Sequence, residues 1–368
     1  MRFTVLKSKL ARRLAVVERI IPKKGGLPGH RVVSMRASAS RLVLSVSGMK
    51  EQYRAAFDLV SVQTRGQVAI PAHELIRIVQ VAPTGEITID DSEQTIQVTS
   101  GAASWNITPL AEGDYVAADM VLPDESDSIN SLELDKALGD VRYAASTTDA
   151  RPSLRQIRFG RERAVAADGR RLHQIPIEFG GEFSIPEIAV DTLVDALRAE
   201  GQNGIMSSLV KVYNTDQVIH FEHEGFVLSI GKLSYQFPDV DALILLRARE
   251  QEGSLVMDRK KFATALMVAA VSVGDVGHIE MSLQSGNTLR IKGTSTASQG
   301  TMHVELDDDS GMSGFVMVLP VETLLQAVVR LESDQITARV ALPGQSDPGW
   351  FYVDDEGDEI AIRGVSQV

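Results

Sequence analysis

The chain has 368 residues, 44% of them hydrophobic and 23% charged, a balance that marks a folded globular protein long enough for two or three domains of ~100–200 residues each. It has no cysteine, which excludes disulfide scaffolds, thiol catalysis and cysteine-based zinc sites. A net charge of −12 excludes a surface that is basic throughout, so any grip on nucleic acid phosphates must come from a local concentration of lysine and arginine.

The first predicted element is a short strand that runs into an amphipathic helix, RFTVLKSKLARRLAVVERII, with Leu10, Leu14, Val17 and Ile21 at helical spacing. The alternating segments RLVLSVSG and QYRAAFDLV follow and read as antiparallel hairpin strands. A proline then enters a second amphipathic helix, in AIPAHELIRIV, at a first-turn position where a backbone N–H would be unpaired anyway. The strand pair EITIDDSEQTIQVTSG and SWNITPL closes the series.

The same order then repeats. SLELDKALGDVRYAAS opens a second series, followed by LRQIRFG, RAVAADGRRLHQIPIEF, the proline helix SIPEIAVDTLVDAL and the strands GIMSSLVKVYN and QVIHFEHEGFVLSIGKL. SLVMDRKKFATALMVAAVS opens a third, followed by HIEMSLQSG, TLRIKGTSTA, VLPVETLLQAVV, QITARVALP and WFYVDDEGDEIAIRG. Pro71, Pro186 and Pro320 lie 115 and 134 residues apart, far beyond the ~20–50 of a solenoid repeat. The charged, aperiodic stretches LPDESDS and RAREQEGS mark boundaries. The expectation is three copies of one α+β domain, at 1–123, 124–252 and 253–368, each with two helices and roughly eight antiparallel strands.

Positive charge collects on some of the helices. Lys7 to Ile21 carries five basic residues against Glu18, and the helix from Asp258 adds Arg259, Lys260 and Lys261, whereas the helices of the second copy are acidic. A basic helical surface with an acidic remainder is compatible with DNA, and equally with a plain solvated helix face. No apolar run approaches the ~18 residues of a membrane helix and MRFTVLKSKL lacks a signal-peptide core, so a cytoplasmic location is expected.

Several segments carry a family likeness: AADGRRL at Ala166 to Leu172, YQFPDVDAL at Tyr235 to Leu243, TTDARPSL at Thr147 to Leu154, GLPGH at Gly26 to His30 and EGDYV at Glu112 to Val116. With the tripled domain and the opening MRFTV, the chain resembles the bacterial DNA polymerase III beta subunit family, the sliding clamps, over essentially its whole length. The resemblance implies a head-to-tail homodimer that closes into a ring of six domains around double-stranded DNA. It also implies no catalysis and no cofactor, and as partners a replicative DNA polymerase, a clamp loader and other proteins bearing clamp-binding motifs.

By the same resemblance, DNA contact falls to Lys23 and Lys24, with Lys136, Arg142, Arg151, Arg198, Arg259, Lys260 and Lys261 as further candidates. The partner-peptide pocket maps to Leu154, Ala167, Gly169, Arg170, Arg171, Leu172, Pro238, Leu243, Ile360 and Ile362, where ordinary core is the competing reading of Leu154, Leu172 and Ile362. The subunit interface maps to Trp105 and Ile107 of SWNITPL against Val271 and Val273 of another copy. Ala167, Arg170, Val240, Ala242 and the ending IAIRGVSQV depart from the family pattern, which puts the pocket's shape and its preferred motif in question.

Enzyme chemistry finds little support. His220 and His223 lie three apart on a strand and point to opposite faces, which does not suit joint metal ligation and suggests surface strand residues. Asp168 with Arg171 and His173 would be the acid–base candidates, but ADG is first a turn. No phosphate-binding glycine loop or nucleophile elbow is present, and DDDSG and DDEGDE lack calcium-loop spacing. A non-catalytic alternative keeps the fold as a hub or decoy for clamp partners that does not encircle DNA.

Overall fold

The computed structural model describes residues 1–23, 27–91, 95–110, 120–148, 150–160, 162–201, 204–240, 253–274, 277–285, 287–309, 314–341 and 349–365. Among them are six α-helices: α1 (Lys7–Ile20), α2 (Ala72–Val81), α3 (Ser131–Val141), α4 (Val190–Glu200), α5 (Arg259–Ala270) and α6 (Val321–Val328). The first third of the chain contributes nine strands and each of the others eight, all in antiparallel sheets. The prolines stand one step earlier than expected. Pro71 and Pro320 end strands and are the residues before α2 and α6, while Pro186 ends Phe183–Pro186 and a 3₁₀ turn, Glu187–Ala189, precedes α4.

Compactness does not follow the expected thirds. The chain divides into one unit of Met1–Lys136 with Phe179–Ser234 and another of Ala137–Glu178 with Tyr235–Val368, so the middle third is split between them. The reason lies in strand pairing. In the first unit an eight-stranded sheet runs Asp127–Asn130, Leu209–Asn214, Val218–His223, Phe226–Gly231, Glu51–Asp58, Arg41–Ser47, Val32–Ala37, Gly66–Pro71, joining closing strands of the second series to opening strands of the first. Within the second unit the order is Gln156–Gly160, Arg163–Ala167, Arg171–Pro176, Asp358–Arg363, Trp350–Asp355, Gln335–Ala341, Leu255–Asp258, joining the second series to the third in the same manner.

The two junctions share one register. Leu228, two residues past the hairpin pair His223↔Phe226, faces Tyr53, which is one past the pair Ser47↔Gln52. Ile360, two past Asp355↔Asp358, faces His173, one past Ala167↔Leu172. All four residues are buried.

Two smaller sheets end in strands with one neighbour each. The first unit has Ser61–Thr64, Arg2–Leu6, Glu86–Asp90, Ile96–Ser100, Ala103–Ile107, and the second has Gln299–Glu305, Thr288–Thr294, His278–Gln284, Val316–Pro320. Ala103–Ile107 and Gln299–Glu305 occupy, in the repeat, the places of the strands that meet at the two junctions.

The apolar stripe of α1, with Leu10, Leu14 and Val17 buried, backs the first unit's large sheet, and α4 packs beside it. Charge closes this contact. Arg13, 4% exposed, gives two 3.0 Å hydrogen bonds to Glu200 and lies 4.4 Å over the Phe57 ring; Arg19 meets Asp195 at 3.0 Å and Asp191 at 3.5 Å. The buried pair is sensitive to truncation, because loss of one partner strands the other charge away from water. In the second unit Phe262 and Leu266 of α5 and Leu324 and Val328 of α6 pack on Phe351, Ile360 and Ile362. Asp258 caps α5, its Oδ1 accepting from the Lys261 N–H at 2.8 Å, an arrangement that contributes ~1 kcal/mol.

Candidate functional site

Strand alternation in the second unit separates two apolar clusters. Ile360 and Ile362 turn toward α5 and α6 with Phe351. Their neighbour Ala361 turns the other way and meets Leu172, Ala167 and Tyr352, with Leu154 and Trp350 completing the wall. The register explains the grouping, since Ala167, Leu172, Ala361 and Tyr352 lie directly opposite one another across four strands. Trp350 and Tyr352 stack at 6.3 Å between ring centroids.

Phe237 and Val240 cover the cluster and flank the half-buried Pro238. Gln156 ties that segment down, with Nε2 donating to Tyr235 O at 2.8 Å and Ser153 O at 3.0 Å. Of the expected pocket residues, then, Leu154, Ala167 and Leu172 assemble, whereas Ile360 and Ile362 lie on the core side of their strand. Val240, expected only as a departure from the family pattern, joins them, and Val165, Phe237, Trp350, Tyr352 and Ala361 were not anticipated. The alternation in WFYVDD and EIAIR was the available signal, because Phe351 and Ile360 in the core oblige Tyr352 and Ala361 to face outward.

The turn beside the cluster is built by Asp168 and Gly169. Asp168 Oδ1 accepts from the N–H groups of Arg170 at 2.8 Å and Arg171 at 3.0 Å, and Oδ2 accepts from Arg171 Nε at 3.0 Å. Gly169 has φ +84°, and a Cβ there would fall 1.4 Å from Arg151 Nη1. Arg151 uses the space to donate to Asp168 O at 2.7 Å, so this candidate for DNA contact braces the pocket turn. Arg170 is exposed. Arg171 also donates to Gln326 Oε1 at 3.0 Å and sits 5.2 Å over the Tyr143 ring, with Arg330 on that ring at 4.3 Å. Burial raises the Tyr143 phenol despite the two guanidiniums. His173 is fully buried with Nε2 against Asp358, so Asp168 and His173 serve separate structural bonds.

His220 is likewise buried rather than at the surface, its Nδ1 2.7 Å from Ser229 Oγ and its pKa lowered by burial; the closing strands of the second series lie inside a sheet, which the local sequence could not reveal. His223 meets Ser208 Oγ at 2.6 Å.

Among the remaining DNA candidates, Lys23, Lys136, Arg198, Lys260 and Lys261 are exposed and Arg142 and Arg259 half-buried. Arg198 stands 3.9 Å from Asp135, Arg259 Nε donates to Ser333 O at 2.7 Å, and Lys260 Nζ donates to Asp334 Oδ1 at 2.8 Å, which holds the Asp334 carboxyl below its usual range. Lys24 and Leu243 lie outside the described residues. At the expected interface Trp105 is half-buried and Ile107 buried on the open strand, while Val271 is 84% exposed and Val273 4%.

Residues 1–119 match the family model for the DNA polymerase III beta subunit, N-terminal domain. A beta sliding clamp of Caulobacter vibrioides is 24% identical over 377 residues, covering 96% of this chain and 98% of its own length. The chain is similar to the DNA polymerase III beta family along its length, and its first third matches the family's N-terminal domain. The beta sliding clamp of Bacillus subtilis is 19% identical over 383 residues, covering 99% of this chain and 98% of its own. Solved structures agree on the fold over 100% of both chains: a Bacillus subtilis sliding clamp at 17% identity with a TM-score of 0.85, and a Helicobacter pylori beta clamp bound to a DNA ligase peptide at 14% with 0.83. The family's repeated α+β architecture is thus present in this chain, with its six helices and four antiparallel sheets among the described residues.

Proposed function

We propose that the protein is a DNA sliding clamp: three domains, at 1–123, 124–252 and 253–368, pair head to tail with a second copy in a ring that encircles duplex DNA and tethers a polymerase and other partners without catalysing a reaction. The observation that carries this reading is the pair of open edges. Ala103–Ile107 and Gln299–Glu305 each lack on one side the neighbour that their repeat equivalents have at both internal junctions. Strand pairing between two copies supplies that neighbour twice and leaves no open edge at either place, which is how a sheet protein avoids uncontrolled association.

The register shared by the two internal junctions supports one pairing between copies. Trp105 is two residues past Ser100↔Ala103, as Leu228 and Ile360 are past theirs, and Gly300 is one past Thr294↔Gln299, as Tyr53 and His173 are past theirs. Trp105 therefore faces Gly300 of the other copy, Asn106 faces Gln299 and Ala103 faces Met302. A Cβ on Gly300 would meet Ser272 Oγ at 2.8 Å and Val268 O at 3.2 Å, so the helix end leaves room for a glycine alone, and the Trp105 ring is free to cover Val268 and the exposed Val271.

A ring removes the need for strong phosphate contacts, since DNA is held by closure and non-specific affinity of ~10⁻⁴ to 10⁻⁶ M suffices. Lys23, Lys24, Lys136, Arg142, Arg198, Arg259, Lys260 and Lys261 supply the weak contacts. Partner proteins present an apolar peptide to the Leu154, Leu172, Ala361 and Trp350 wall, the mode suggested by the ligase peptide on the Helicobacter pylori clamp. The acidic residues of α4, Asp191, Asp195 and Glu200, are engaged by Arg13 and Arg19 and so do not favour a hub that avoids DNA. Within the described residues no helix is long and apolar enough to cross a membrane.

Negative-stain electron microscopy tests the assembly. Six-lobed rings of two chains are expected; single curved arms at micromolar protein would overturn the ring.

A further inference from the structure

The large sheet of the first unit buries Leu42, Leu44, Tyr53 and Ala55 on the side of α1. Alternation puts Val43, Ser45, Arg54 and Ala56 on the other face, where they line a groove of about 510 Å³. Short side chains create the depression, with Ser34 opposite Ser45 and Val43 opposite Ala56, while Arg54 and Arg36 continue these two rows on the neighbouring strands. Gly225 and Val227 continue the floor, and the His223 ring, stacked on Phe226 at 5.5 Å, stands as a wall.

The charges in this groove are unequally used. Glu222 accepts from the Tyr213 hydroxyl at 2.5 Å and from Lys211 Nζ at 3.4 Å, and the tyrosine bond foremost holds its carboxyl below the usual range. Arg36 donates from Nε and Nη2 to Gln67 Oε1 at 3.2 and 3.0 Å. Arg54 is half-buried and feels the Glu222 charge, yet among the described residues its guanidinium donates no hydrogen bond. A guanidinium partly withdrawn from water with its planar fork unspent favours a bidentate carboxylate.

We propose that the groove docks an extended peptide segment of a partner protein that carries an aspartate or glutamate beside a small aliphatic side chain, with the carboxylate on Arg54 and the aliphatic group on Val43, Ala56 and Val227. A nucleic acid strand fits less well, because Glu222 and Glu224 border the groove and repel a chain of phosphates while tolerating a single carboxylate. This peptide differs from the one proposed for the second unit. The repeat equivalents of Leu172, Ala361 and Tyr352 are Gln52, Ser229 and His220, so the apolar wall has no counterpart on this face.

Saturation-transfer NMR on the full-length protein, with the probe acetyl-Ala-Glu-Val-Ala-amide and its Gln analogue, tests the proposal. Transfer to the valine methyls of the Glu peptide is expected, with affinity lower by about tenfold for the Gln analogue or for Arg54→Gln, as expected for one charge-assisted pair. Leu154→Ala, in the other cluster, should leave the signal unchanged, which separates this site from the partner-peptide reading above. Equal binding of the two probes, which involves no mutant fold, overturns the proposal. So does displacement of both by a 12-base-pair duplex, which would assign the groove to nucleic acid.

Discussion

Positions 361 and 362, adjacent on one strand, should behave as opposites. Ile362 is fully buried against Phe351 and Leu324 on the core side, so Ile362→Ala leaves a cavity and should lower stability by ~3 kcal/mol, within the ~2–5 kcal/mol of such truncations. It should leave affinity for an apolar partner peptide within about twofold, because the side chain faces away from the peptide wall. Ala361→Leu adds three carbons between Leu172 and Tyr352. Overpacking there should lower stability by ~1–3 kcal/mol, and filling the wall should weaken the peptide by about tenfold or more. Urea unfolding and fluorescence anisotropy with a labelled peptide bearing leucine and phenylalanine read the two effects separately. Loss of peptide binding by Ile362→Ala with binding retained by Ala361→Leu would refute the assignment of faces.

Trp105→Ala should raise the dimer dissociation constant by about thirtyfold, since truncating a tryptophan covered at an interface costs ~2 kcal/mol or more; sedimentation equilibrium measures it, and an unchanged constant would remove Trp105 from the interface. Burial raises Glu51 from 4.5 to about 7, with partial relief from the Thr192 hydroxyl at 3.3 Å. The folded state therefore holds the proton longer than the unfolded chain, and stability should fall as pH rises from about 4.5 to 7 and level off above. Glu51→Gln should flatten that slope and be more stable by ~1–3 kcal/mol at about pH 8; an identical pH profile for the two proteins in thermal unfolding would contradict this.

The helices were legible because each has a local signature. Leu10, Leu14 and Val17 define α1 by spacing, and the prolines at 71, 186 and 320 mark the entries to α2, α4 and α6 within a few residues. The division into two units was not legible, because it depends on Phe226–Gly231 pairing with Glu51–Asp58 and Asp358–Arg363 with Arg171–Pro176, contacts between distant segments with no trace in local pattern. The site was half legible. Motif likeness brought Leu154, Ala167 and Leu172 together, but transferring Ile360 and Ile362 ignored a one-residue parity that reverses every side chain of a strand. The basic excess of α1 was visible by counting, whereas its engagement by Glu200, Asp191 and Asp195 required knowing that α4 lies beside it.

The most direct test of the ring exploits the absence of cysteine from the chain. A protein carrying Asn106→Cys and Gln299→Cys should, under mild oxidation, form a covalent dimer in high yield, because directly opposed strand residues lie ~4.5–5.5 Å apart, within disulfide reach. Asn106→Cys combined with Glu305→Cys, six residues out of register, should not. Cross-linking absent from the first pair, or equal in the two, would mean that these edges do not meet in the stated register, and the head-to-tail ring would lose its structural basis.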